Sequence, residues 1–417
     1  MTSDKEDPQS TPHIGLRRSL SLPLAIFYGL GNILGAGIYV LVGKVAGVAG
    51  YYTPLSFLLS GLVVAATAFT YAELVSRYPR SAGEAVYVQQ AFALPKLSVM
   101  VGLAICAAGI ISSAAIARGF VGYLQVFFPA PPLASLFIVI SLLGALASWG
   151  ISQSVRVVAV ITALEVGGLL LVIWIGSELI LSGQGITPPQ QPSSLPWIGI
   201  WYGAFLAFYA FLGFEDMVNV AEEVKHPRLY LPAAILIALL IAMLMYGAVS
   251  YVAVHIVNPA DLAQSDAPLV TVVSIATGSK GSLIAAIAML AVINGALVQM
   301  IMVSRILYGM GKQLWIPAIF GHVHPATRTP VFSTAIVSLL VMLMAAWLPI
   351  ESLAALTSFL ILLVFALINL ALMKIKKNAA EKLVLFETPF WVPVLGLITT
   401  IGLAIFSAAF TFFSKTN

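Results

Sequence analysis

Gly29-Leu30-Gly31-Asn32-Ile33-Leu34-Gly35-Ala36-Gly37 interrupts a long apolar run near the start of the chain. Five runs later, Phe208-Tyr209-Ala210-Phe211-Leu212-Gly213-Phe214-Glu215-Asp216 interrupts another. Glycine lets a chain leave a helix cheaply, and unwound backbone at membrane depth is tolerated only where it lines a cavity. The first stretch has competing readings: Gly31 and Gly35 stand at the spacing of helix-packing glycines, and chance clustering is a third. A dinucleotide-loop pattern is excluded, because the spacing is wrong and no βαβ unit surrounds it. The second stretch favours a break, since there a glycine leads into two carboxylates near mid-membrane. Interrupted segments at matching positions of two halves point to a transport site between inverted repeats. Half-helix N-termini offer free N–H groups to a carboxylate, and freed carbonyls suit an ammonium. An amino-acid zwitterion needs both.

The rest of the chain agrees with a membrane setting. Of 417 residues, 60% are hydrophobic and 9% charged, with a mean hydropathy of +1.03. Soluble domains carry about 25% charged residues, so most of this surface has to meet lipid. A hydrocarbon core about 30 Å thick needs about 20 apolar helical residues. Eleven runs qualify: 22–45, 54–75, 97–128, 134–150, 157–181, 198–220, 231–255, 283–310, 331–348, 353–373 and 390–413. None alternates as a barrel strand would, so the expected class is an all-α integral membrane protein. The net charge of +4 falls in loops and carries no nucleic-acid reading, and Cys106 is too solitary for an internal disulfide. The first run is too long for a cleavable leader.

Loop charges set the orientation. Arg17, Arg18, Arg77, Arg80, Lys96, Arg156, Lys225, Arg228, Lys312, Arg328, Lys374, Lys376, Lys377 and Lys382 fall on one side. The other side holds little beyond Lys280, Lys415 and an uncharged Pro-rich stretch at 188–192. The expectation is a multi-pass protein of the cytoplasmic membrane with its N-terminus inside and its C-terminus outside.

Several motifs then resemble a known family. Gly35-Ala36-Gly37-Ile38-Tyr39-Val40, Tyr71-Ala72-Glu73-Leu74 and Tyr78-Pro79-Arg80-Ser81-Ala82-Gly83-Glu84 are followed by Ala221-Glu222-Glu223-Val224-Lys225-His226-Pro227 and Ser304-Arg305-Ile306-Leu307-Tyr308-Gly309-Met310. Together they resemble amino acid permeases of the amino acid–polyamine–organocation superfamily, nearest the cationic amino-acid transporter-like branch. The resemblance implies a five-plus-five inverted-repeat (LeuT-like) helix bundle with spans one and six discontinuous. Residues 1–21 would form a tail, 22–375 the transport core (22–182 and 197–375 its repeats), and 376–417 a connecting loop and terminal helix. It also implies a secondary active transporter moving an α-amino acid by alternating access. The coupling ion would be a proton, with sodium or exchange as alternatives, and no cofactor or metal is implied. A polyamine or cationic amino acid antiporter is the nearest rival.

Carried over by position, backbone N–H groups at Ile33, Ala36 and Gly37 would hold the substrate carboxylate. Carbonyls at Tyr209, Ala210 and Leu212 would take its ammonium. Glu215 stands where the family places an acidic gating residue; the plain alternative is an N-cap of the second half-helix, which Asp216 would share. Glu73, Arg77, Arg80 and Glu84 resemble a gate cluster. The family usually has twelve spans rather than eleven. Its cationic branch often carries a glutamate in span three, where Ala107, Ala108 and Gly109 stand here, so neutral amino acids are expected first. In span five a lysine of several relatives is replaced by Glu165.

A charge at Glu165 costs about 2.5–3.5 kcal/mol on insertion scales, so it has to be paired or protonated. It would carry the coupling proton or help ligate a cation, with Asn294 beside it, or else serve as a structural hydrogen-bonding group. Asn294 itself has helix–helix bonding as its alternative. Arg118, Arg305 and Lys44 read as helix-end or interface charges. An intramembrane enzyme lacks its parts: the histidines His13, His226, His255, His322 and His324 pair with no mid-span serine and form no metal cluster. A channel would need a filter motif, and none is present.

Overall fold

The computed structural model describes residues 20–35, 37–80, 83–149, 155–186, 196–378 and 384–416. Ala36, the 188–192 stretch and the expected tail up to residue 19 lie outside these. Fifteen α-helices are formed among the described residues. They are α1 (Leu22–Leu34), α2 (Gly37–Ala49), α3 (Thr53–Arg77), α4 (Gly83–Phe92), α5 (Pro95–Leu124), α6 (Pro132–Trp149), α7 (Val155–Leu181), α8 (Trp197–Phe208), α9 (Pro227–Ile256), α10 (Pro259–Gln264), α11 (Pro268–Thr277), α12 (Ser282–Lys312), α13 (Val331–Trp347), α14 (Ile350–Asn378) and α15 (Trp391–Thr416). Nine described stretches are long and apolar enough to cross a membrane. The first, Leu22–Arg77, holds both runs expected at 22–45 and 54–75, and the run expected at 331–348 lies on the shorter α13.

Both expected interruptions are present. α1 stops at Leu34, turns at Gly35, and α2 restarts at Gly37. α8 tightens into a 3₁₀ turn at Tyr209–Phe211, Leu212 is extended, and Gly213 has φ +118. That backbone favours glycine, and a Cβ there would also strike the Asn32 carbonyl. The chain continues as a 3₁₀ segment, Glu215–Glu223, rather than the α-helical half expected.

Polar links hold the bundle where the hydrophobic effect cannot distinguish lipid from protein. Asn369 of α14 donates to Thr67 Oγ1 of α3 (2.9 Å) and accepts from Thr70 Oγ1 (2.6 Å), while Gly396 of α15 packs on the Asn369 amide. Glu73 at the end of α3 is fully buried, pairs with Arg77 (2.6 Å) and Lys376 (2.9 Å), and accepts from both the N–H and the hydroxyl of Thr388. Removing one partner of such a pair costs about 3–5 kcal/mol, so this knot fixes the approach to α15. The expected gate cluster thus divides: Glu73 and Arg77 join the knot, and Arg80 and Glu84 line a cavity.

Candidate functional site

The two interruptions touch. A Cβ on Gly37 would overlap the Ala210 Cα, so bare backbone packs on backbone there. Breaking the helices strands carbonyls that would otherwise bond four residues onward. Tyr246 of α9, fully buried, meets two of them: its hydroxyl lies 2.7 Å from the Ile33 oxygen and 2.9 Å from the Ala210 oxygen. One phenolic proton is shared between two carbonyls, one from each broken span. Edge-on contacts with Phe57 and Phe211 hold the ring in place.

A chamber of about 40 Å³ lies between the breaks, lined on one side by Asn32, Ile33, Gly35 and Gly37 and on the other by Tyr209, Leu212 and Asp216. α5 contributes Ser112, whose hydroxyl is 3.0 Å from that of Tyr209, and α12 contributes Asn294 and Gln299. A water needs about 10–15 Å³ of such volume, so the chamber has room for a few waters. It shares Ser112, Leu212, Asp216, Val298 and Gln299 with a wide cavity of about 1030 Å³. That cavity runs outward past Glu84, Asn219, Glu223 and Arg305 to Arg80, Pro95 and Gln313.

Of the residues named from the sequence, Ile33, Gly37, Tyr209, Leu212 and Asn294 line the chamber. Ala210 does not; its carbonyl faces Tyr246. Glu215 does not cap the segment it begins. Phe214 occupies the cap position, and the Glu215 carboxylate reaches back to accept the Gly213 N–H at 2.8 Å. Glu165 is fully buried and lines neither chamber nor cavity, and both carboxylate oxygens lack a hydrogen-bond partner. Only its backbone carbonyl is used, by the Tyr39 hydroxyl at 2.9 Å. Arg118 donates to the carbonyls of Ala345 (2.6 Å) and Leu348 (2.9 Å), closing the end of α13. Lys44 donates to Ala263 and pairs with Glu351 (3.1 Å). Sequence reading missed Tyr246, Ser112, Gln299 and the exposure of Asp216 to the chamber. A lone hydroxyl and a lone amide inside apolar runs were the available signals.

Membrane-length helices, two of them broken at touching points beside a polar chamber and a wide cavity, define a membrane transport protein. A family model described as amino acid permease matches residues 20–417, and the chain belongs to the amino acid permease family. Its relatives are transporters, not enzymes. A methylthioribose transporter of Bacillus subtilis is 28% identical over 92% of this chain and 86% of its own length. A branched-chain amino acid permease of the same organism is 27% identical over 91% of this chain and 85% of its own. The vacuolar cationic amino acid transporter 2 of Arabidopsis thaliana is 30% identical over 89% of this chain; the match spans 61% of that relative's length.

Proposed function

We propose that this protein is a secondary active transporter of an α-amino acid, working by alternating access in the cytoplasmic membrane with its N-terminus inside. The contact of Gly37 with Ala210 beside the chamber carries the reading. α2 begins there, so its N-terminal N–H groups suit a carboxylate, and the backbone oxygens at the second break, where Tyr209 O accepts the Leu212 N–H at 3.2 Å and keeps a second lone pair, suit an ammonium. Breaks in α1–α2 and in α8 onward, five spans apart, support a five-plus-five inverted repeat. The large cavity opens among loop residues of the Arg- and Lys-rich side, which on the positive-inside rule is the cytoplasm. The described conformation then faces inward.

Coupling is assigned to Glu165. An unpaired buried carboxylate in the bilayer is expensive, so the group holds a proton or a cation, and α7 packs on both α1 and α12. A proton is the simpler occupant. The test of the whole reading is uptake into proteoliposomes holding the purified protein. Labelled α-amino acids should accumulate under an inward proton gradient, with methylthioribose and putrescine as comparison substrates. Accumulation of methylthioribose or putrescine alone would refute the α-amino acid reading.

A further inference from the structure

The chamber between the breaks has room for a few waters, less than an α-amino acid with a side chain fills, whereas the wide cavity takes one whole. Two walls run outward from the one into the other. On α12, Asn294 lines the chamber and Arg305 lines the cavity. Their separation of eleven residues is three turns of α-helix, so both stand on one face, about 16 Å apart along the axis. Val298, Ile301 and Gly309 of that face also line the cavity. On the second broken span, Asp216 lines the chamber and Glu223 the cavity. The seven residues between them rise about 14 Å as a 3₁₀ helix. One bond joins the walls at the chamber, from Gln299 Nε2 to the Asp216 carboxylate at 3.4 Å.

Arg305 and Glu223 thus stand at matching distances from the chamber, one on each wall. Tyr28 of α1 lies against both. Its hydroxyl hydrogen-bonds the Asn32 side chain and sits in the fields of Asp216, Glu223 and Arg305. Both outer charges are free. Arg305 is exposed and Glu223 half-buried, and neither forms an ion pair with a described residue. The Leu20 N–H takes only the backbone oxygen of Glu223. Arg80 also lines the cavity, but from the loop after α3 rather than from either wall. A guanidinium has five donors and grips a carboxylate through two parallel bonds, and a carboxylate accepts an ammonium as a charge-assisted bond. Opposite charges that share a cavity without joining keep those bonds for a third group. A zwitterion carries the complementary pair.

We propose that Arg305 and Glu223 form a second substrate station in the inner cavity, Arg305 taking the carboxylate of the amino acid and Glu223 its ammonium on the way between chamber and cytoplasm. This rests on the zwitterion reading and on the inward-facing cavity. The station serves the cytoplasmic face only, since it lies on the cavity side of the chamber.

Sidedness provides the test. Right-side-out and inside-out membrane vesicles containing the full chain are given a radiolabelled mixture of the common α-amino acids at rising concentration. Arg305→Gln should raise the half-saturating concentration at least tenfold in inside-out vesicles and by less than twofold in right-side-out ones. The maximal rate from the cytoplasmic face should not fall, because a resting place is lost and not a step. Arg305→Lys should recover part of the affinity, and Glu223→Gln should shift the same face in the same direction. An unchanged inner half-saturation in Arg305→Gln, or equal shifts on both faces, overturns the station and leaves the zwitterion reading intact. Uptake of labelled methylthioribose or putrescine and of no amino acid removes the zwitterion reading and the station with it. Should Arg305→Gln not reach the membrane, Glu223→Gln decides by the same comparison of faces.

Discussion

Two carboxyls of this protein are displaced from their ordinary chemistry by where they sit. Glu165→Gln keeps shape and volume while removing the proton, so gradient-driven accumulation should be lost and substrate exchange between preloaded vesicles retained. Undiminished accumulation would leave Glu165 a structural role. Glu84 lies outside the membrane-length helices, on α4, and burial pushes its carboxyl up to about 7, with the Asp216 carboxylate adding to the effect. Tyr71 of α3, Glu215 and Asp216 of the second break, and Arg80 before α4 line the cavity with it. An unfolded glutamate releases its proton near 4.5, so between pH 4.5 and about 7 the native state binds more protons and stability falls as pH rises. The loss is on the order of 3 kcal/mol at one unit per 1.36 kcal/mol. Glu84→Gln should flatten the decline of the melting temperature in detergent across that window; an identical slope would deny Glu84 the role. Glu165 was legible in the sequence because a lone charge stands out in an apolar run. Asp216 was not, because adjacent residues of a 3₁₀ turn point about 120° apart. Sequence order does not say which of Glu215 and Asp216 turns to backbone and which to the cavity.

The broken elements were legible for a physical reason: a glycine cluster, or a glycine leading into adjacent carboxylates, marks a place where backbone can leave the helix cheaply, and such backbone at membrane depth has to line a cavity. The winding of the chain beyond the second break was not. Glu215–Glu223 forms a 3₁₀ segment through contacts made by α1, α3 and α9, and these are remote in sequence. Tyr246, which joins the breaks from α9, hides for the same reason. The breaks also set the test of their own contact. Gly37→Leu places a branched side chain where even a Cβ meets the Ala210 backbone. That substitution should cut transport at least a hundredfold at normal membrane abundance, as expected when near-contact geometry is lost. Wild-type affinity in Gly37→Leu would leave the glycines a packing role only.

At the scale of the molecule, orientation and cavity give one joint expectation. Reporter fusions after Lys225 and Arg328 should read cytoplasmic and a fusion after Lys415 periplasmic. Asn219→Cys, on the cavity wall, should react with a membrane-impermeant maleimide in inside-out vesicles and not in intact cells; Cys106→Ala serves as background. Labelling from the outside alone would reverse the cavity's direction. At the mouth of that cavity, Leu20 N–H donates to the Glu223 carbonyl at 3.0 Å and Lys225 N–H donates to the Leu20 carbonyl at 2.8 Å. The foot of α1 is thereby stitched to the end of the second broken span. Any swing of α1 away from that span has to release both bonds. These two amides therefore exchange with deuterium only as often as the stitch opens, and their exchange rate is a clock for the motion that runs with no substrate present at all.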